Sequence, residues 1–294
     1  MTTRTLTAET TGPVTIDATL LGHGGLVTVR ADAKCTRATL TIHTADEDGA
    51  SADTVRTATL RQFTNRLEAY VQGSGGGNTG GTIVVGGGSS VIQSFGTVTG
   101  SVTGMTITGT GQVIVNGGAV IQGSSSIEIT AVVPEGSSVD SETQSADVEG
   151  IGALLNVSAK CQSGSIRTGH VSRVDAKTQS GSVTVEQAAH INATTQSGSI
   201  HLGRTDVVTA KTMSGSIEIQ DFGGTATADS MSGSIRIHAT AGGDIHAKTM
   251  SGAIDVTATQ AALADDLDVR ASSMSGRVST PQRHTRDAGP RRRR

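Results

Sequence analysis

Between residues 139 and 280 the chain alternates apolar and polar positions, and a short polar signature interrupts the alternation at near-regular intervals. The signature is Ser-Gly-Ser-(Ile/Val), and the first Ser of each copy serves as origin. Six residues before it stand Val139, Val157, Val174, Ile191, Val208, Ala226, Ile245 and Val269. Four before it stand Ala159, Ala176, Ala193, Ala210, Ala228, Ala247 and Ala271. Three after it stand Val148, Ile166, Val183, Ile200, Ile217, Ile235, Ile254 and Val278. Five after it come Val185, Leu202, Ile219, Ile237 and Val256, with Thr168 and Thr280 as polar exceptions. A period of two on both sides of the signature is that of strands with one buried face, which no helix reproduces.

The signature glycines Gly164, Gly181, Gly198, Gly215, Gly233, Gly252 and Gly276 lie 17, 17, 17, 18, 19 and 24 residues apart, with Gln144-Ser145-Ala146-Asp147-Val148 as a degenerate first copy. A repeat of this length is the mark of stacked units that cannot bury their apolar faces alone. The expected fold is all-β: a parallel β-solenoid with two-strand rungs of about 17 residues, rising ~4.8 Å per rung. Each rung reads as strand, tight corner, strand, looser corner. The glycine marks the tight corner, where a positive φ is expected. The length changes fall in the looser corner, which grows from Glu186–His190 to Thr257–Asp268.

Four segments follow from this pattern. Residues 1–71 read as a small β-rich capping unit, with strands at 14–18, 26–29, 38–42 and 67–71. A short amphipathic helix opens at Ser51 as N-cap and carries Val55, Ala58, Leu60 and Phe63. Residues 72–126 are rich in Gly, Ser and Thr, with irregular short strands. Residues 127–280 are the solenoid, entered by strand 127–133 and the Pro134-Glu135-Gly136 break. Residues 281–294, ending in Arg291–Arg294, read as a disordered basic tail.

Composition narrows the function. One Tyr, three Phe and no Trp suit a thin rod filled by Val, Ile and Ala better than an enzyme core. A net charge of −3 argues against general attraction to nucleic acid. Cys35 and Cys161 do not form a disulfide framework, and Cys161 replaces Thr or Ser at an inward position. The first residues lack the apolar core of a signal peptide, and no stretch is long enough for a membrane span. The default compartment is therefore the cytoplasm, with the cell surface reached only by a non-standard route.

The run Val132-Val133-Pro134-Glu135-Gly136-Ser137-Ser138-Val139, followed by serial Ser-Gly-Ser-Ile copies, resembles a family of bacterial β-strand-repeat proteins described as putative adhesins. These carry a domain of unknown function. The likeness covers about 127–280. Thr39–Ala45 and Ser51-Ala52-Asp53 are similar to the N-terminal part of some members. The resemblance implies a β-solenoid, and it implies no enzyme, cofactor or catalytic residue.

The candidate chemistry is sparse. The signature serines are expected to bond along the ladder rather than to form a triad. His170, His190 and His238 fall in or near the looser corner without metal-ligand spacing. Asp46-Glu47-Asp48-Gly49 reads as a turn rather than a calcium loop. Asp265, Asp266 and Asp268 form an acidic corner, and Lys160, Lys177, Lys211 and Lys248 a solvated column. The column four after the origin reads Arg167, Thr184, His201, Glu218, Arg236 and Asp255, which is no catalytic pair. The residue before the origin changes from Gln162, Gln179 and Gln196 to Met213, Met231, Met250 and Met274. Those four of the chain's six methionines make the candidate partner-binding edge. No catalytic, cofactor or metal residues are assigned. The expected function is a non-enzymatic structural or interaction scaffold that meets a protein partner or a second copy. A surface adhesin that binds glycan is the alternative. A carbohydrate-active enzyme using Glu218 or Asp255 is the third reading.

Overall fold

The computed structural model describes residues 1–73, 105–107, 113–115, 120–121 and 125–281. The chain divides into two compact units, Met1–Gly181 and Ser182–Arg294. Both are β-solenoid, built on long parallel strands.

The first unit contains β1 (Thr2–Thr7), β2 (Thr15–Ala31), β3 (Thr39–Thr44), α1 (Ala50–Thr57), β4 (Thr59–Phe63) and β5 (Arg66–Gln72). It continues with β6 (Met105–Ile107), β7 (Val113–Val115), β8 (Val120–Ile121), β9 (Ile127–Val133), β10 (Ser138–Cys161) and β11 (Ile166–Thr178). Its main sheet has the order β1-β3-β9-β2-β10-β11. β2 runs parallel to β10, with Thr15 opposite Ser138 and Arg30 opposite Ile151. On its other side, the first half of β2 pairs with β5 and the second half with β9. Two separate strands thus complete one coil, and strands from 1–72 and from 127–178 share one sheet. Antiparallel strands end the stack: β3 on β9, β1 on β3, and β4 on β5. An antiparallel end breaks the parallel ladder that another coil would extend.

The helix differs from expectation. It starts after Gly49, whose φ is 100°, and no side chain caps it. Ser51 is buried inside the first turn and donates to the Ser125 carbonyl at 2.8 Å. Leu60 and Phe63 lie in β4 instead of on the helix, because the chain reverses into the β4–β5 hairpin. β6, β7 and β8 form a separate three-stranded antiparallel sheet. The remaining expectations for 72–126, and that for the tail beyond Pro281, lie outside the described residues.

Half-buried His23 sits in the corner of β2, with Nε2 3.2 Å from the Thr54 hydroxyl. Burial lowers its pKa from the ordinary 6.5. The unfolded chain therefore takes up the proton first as pH falls, so acid favours unfolding. Stability should decline below about pH 6.5 and level off once the folded imidazole is itself protonated. Urea titrations at descending pH check this, and His23→Gln should flatten the decline across that window.

The second unit contains β12 (Val183–Thr195), β13 (Ile200–Thr212), β14 (Ile217–Ser230), β15 (Ile235–Thr249), β16 (Ile254–Ala258), α2 (Gln260–Ala264), β17 (Leu267–Ser273) and β18 (Val278–Ser279). β12 to β15 pair in sequence order. β15 then pairs with β16 and β17, and β16 with β18. Ile200, Ile217, Ile235 and Ile254 stand in register, one over the next. All four are buried, as are Val208, Ala226 and Ile245, and the column Ala210, Ala228 and Ala247. The columns read from the sequence are therefore the core of the coils.

The looser corner is itself strand. In β12 the pairs Glu186-Gln187 and Ala189-His190 avoid the interior, and the single residue between them, Ala188, is buried. Each break in the alternation bends the chain around the axis. The coils of β10 to β15 thus have a third, short inward segment between the two expected arms. Its column in this unit is Ala188, Thr205, Phe222 and Ala239. A single inward residue shows no alternation of its own, so period-two reading passes over it.

Candidate interaction edge

The tight corner is held by hydroxyls at the inward position two before the signature. In β13 the Thr212 hydroxyl accepts from the Gly215 N–H at 3.0 Å and donates to the Gly198 carbonyl at 3.2 Å. The next coils repeat this. Ser230 accepts from Gly233 at 2.8 Å, and Thr249 donates to the Gly233 carbonyl at 3.2 Å. One hydroxyl thus ties each corner to itself and to the preceding coil. That is why Thr or Ser returns at a position surrounded by aliphatic columns.

Cys161 interrupts the column in the first unit. Its thiol is buried, accepts from the Thr143 hydroxyl at 3.1 Å and is pushed up in pKa chiefly by burial. Cys35 is half-buried and also a free thiol.

The signature glycines do not take positive φ, contrary to expectation; among the described glycines that do are Gly136, Gly152, Gly224 and Gly243. The signature position needs Gly for a different reason. A Cβ on Gly215 would stand 1.8 Å from the Gly198 carbonyl oxygen, and one on Gly233 1.7 Å from that of Gly215. The corners stack so closely that the backbone of one coil fills the space of a side chain on the next.

This corner directs the preceding residue outward. Thr212, Ser230 and Thr249 point in, so Met213, Met231 and Met250 point out. The backbone N–H groups of Ser232, Ser251 and Ser275 each donate at 2.9 Å to the carbonyls of Met213, Met231 and Met250. Successive methionines therefore occupy successive coils, ~4.8 Å apart along the stack. Met213, Met231, Met250 and Met274 are 49, 45, 47 and 81% exposed. Four such side chains make an apolar strip of ~14 Å, flanked by the signature serines. Methionine is unbranched and polarizable, which suits it to irregular apolar surfaces.

The other singled-out residues are placed as follows. His201, Glu218, Arg236 and Asp255 stack in register on the outward face, and His201 Nδ1 lies 3.3 Å from Glu218 Oε2. Arg236 separates Glu218 from Asp255, so the two carboxylates proposed for an enzyme are not neighbours. His190 is followed in its column by Val207, and His238 Nδ1 lies 2.9 Å from the Thr257 hydroxyl. Lys211 is followed by Asp229 and then Lys248, with Lys211 Nζ 4.0 Å from Asp229 Oδ2. The acidic corner has structural tasks. The Asp265 backbone N–H closes α2, its carboxylate accepts from Gly242 N–H at 3.3 Å, and Asp268 pairs with Arg270 at 3.2 Å. Asp46 receives the Ser125 hydroxyl at 2.6 Å and the Ser125 N–H at 3.0 Å in the turn before α1. Among the described residues no group of three or more His, Cys, Asp or Glu side chains is arranged to hold a metal ion. No helix among them is long and apolar enough to cross a membrane.

No curated protein matches this chain significantly. Solved structures do. A putative lipid binding protein from Parabacteroides distasonis ATCC 8503 is 13% identical, with 96% of this chain and 97% of that chain covered, at a TM-score of 0.51. A putative adhesin from Parabacteroides merdae ATCC 43184 is 10% identical, with 96% of each chain covered, at a TM-score of 0.45. The first of these likenesses is one of fold. The family description Toastrack DUF4097 matches residues 94–292, so the coils from β10 onward, their hydroxyl-tied corners and the methionine edge fall inside it, and the chain belongs to the Toastrack DUF4097 family.

Proposed function

We propose that the chain is a non-catalytic binding scaffold whose methionine edge engages an apolar segment of a partner protein. The observation that carries this reading is the column Met213, Met231, Met250 and Met274, about half or more exposed on consecutive coils. Exposed apolar strips rimmed by polar residues mark interaction sites, because water released from them favours association. The interior of the coils is occupied by aliphatic columns and corner hydroxyls, so recognition falls to the outside. The serines beside the strip offer hydrogen bonds at its rim.

Photo-methionine incorporation tests this directly, since four of the six methionines lie on the edge. Irradiation should cross-link the chain to another polypeptide through Met213, Met231 or Met250. Met213→Lys with Met231→Lys should remove those adducts while leaving the circular dichroism of the coils unchanged. Adducts with lipid alone, or protein adducts indifferent to both lysines, would count against a protein-binding edge.

A further inference from the structure

We propose that the methionine edge is a reversible oxidation site, where hydrogen peroxide converts Met213, Met231, Met250 and Met274 to sulfoxides and turns the apolar strip polar while the coils stay folded. The release of a partner rests on the reading of the edge given above; the oxidation and the change of surface do not. Each step transfers one oxygen atom. The O–O bond of the peroxide breaks, an S=O bond forms at Sδ, the sulfur gives up two electrons, and water leaves. In the reverse step two thiols of a sulfoxide reductase become a disulfide and the oxygen leaves as water.

The sulfurs are accessible. Each of the four side chains is about half exposed or more. The second unit contains no cysteine, so thioethers are the sulfurs it offers to an oxidant. In the first unit Cys161 is buried and Cys35 half-buried.

The corner already holds the polar form. Gln196 stands at the place that Met213, Met231 and Met250 take on the following coils, and it is exposed. Its carbonyl accepts from the Ser214 N–H at 2.9 Å, the length of the Ser232–Met213, Ser251–Met231 and Ser275–Met250 bonds. Gln162 and Gln179 stand before the signature in the first unit, also exposed. Glutamine and methionine sulfoxide are both unbranched and both carry an oxygen on the δ atom. Oxidation therefore gives a side chain of a kind this corner accommodates. The hydroxyls of Thr212, Ser230 and Thr249, which tie the corner, point the other way, so the added oxygen enters solvent rather than the core. What changes is the strip. Glutamine amides both donate and accept, whereas sulfoxides only accept. Four of them on consecutive coils hold water that an apolar partner would have to remove.

Peroxide treatment of the full chain, followed by peptide mass spectrometry, melting and chromatography on a phenyl resin, tests the site. Met213, Met231, Met250 and Met274 should each gain one oxygen. The melting temperature should move by no more than about 2 °C. Partition onto the resin should weaken about tenfold or more, and sulfoxide reductases with dithiothreitol should restore it. The variant with all four changed to Gln should behave as the oxidised chain without treatment. The variant with all four changed to Leu keeps Met1, Met105 and both cysteines, and its retention should not respond to peroxide. Unoxidised edge methionines would overturn the proposal. So would coils that melt out on oxidation, a Gln variant retained like the wild type, or a Leu variant that responds as the wild type does. None of these outcomes depends on whether photo-methionine yields protein adducts, so the two readings fail separately.

Discussion

Gly215→Ala should lower the stability of the second unit by ~3 kcal/mol or more, through a single added methyl group. The methyl would stand 1.8 Å from the Gly198 carbonyl oxygen and 2.5 Å from its carbon. Both are backbone atoms of the neighbouring coil, so no rotamer change removes the clash. The corners of β13 and β14 must part, which also loosens the Ser214 N–H bond to the Gln196 carbonyl at 2.9 Å and the Gly215–Thr212 bond. A loss of that size corresponds to roughly 6–12 °C in melting temperature. Gly24→Ala is the control, because a Cβ there meets nothing within 4 Å and its φ is not positive. Thermal melts of the two variants decide the point. Equal melting temperatures would show that close stacking is not what the signature glycine serves.

Phe222→Ala should destabilise by ~3–5 kcal/mol. Phe222 is fully buried and is the largest fully buried side chain among the described residues. Its column neighbours in register are Thr205 and Ala239, both small. Coils tied to each other by backbone bonds on every side cannot collapse into the space it leaves. Phe222→Leu keeps much of the volume and should cost much less. Chemical denaturation of the three proteins measures this. A loss for the alanine variant no larger than for the leucine variant would mean that the third inward segment is not packed as described.

These two residues differ in how far they could be read from the amino-acid sequence. Gly215 announces itself through its repeat, and only the reason for it was wrong. Sharp turns and close stacking both select glycine, and the two are separated only by the coordinates of the neighbouring coil. Phe222 lies between two outward steps, so it appears as an isolated apolar residue in a segment of changing length. The edge methionines were legible because a strict inward residue precedes each of them. Ser51 was misplaced because a polar residue before a helix reads as a cap whether or not its side chain turns inward. β2 escaped recognition as a coil because it lacks the Ser-Gly-Ser corner and uses Gly22-His23-Gly24 instead.

The chain's order of residues by itself determined the strand content, the period of the coils, the inward columns from Val157 to Val256 and the outward side of Met213, Met231, Met250 and Met274. These are local consequences of alternation and of a repeat that copies its neighbour. Tertiary structure decided the rest: that a carbonyl of one coil occupies the side-chain space of the next glycine, that β5 and β9 share one coil beneath β2, and that a third inward segment, which carries Phe222 in β14, fills the middle coils. Each of these depends on which backbone comes to lie within bonding distance of another. That distance is set by packing between segments far apart in the chain, and no run of residues carries it alone.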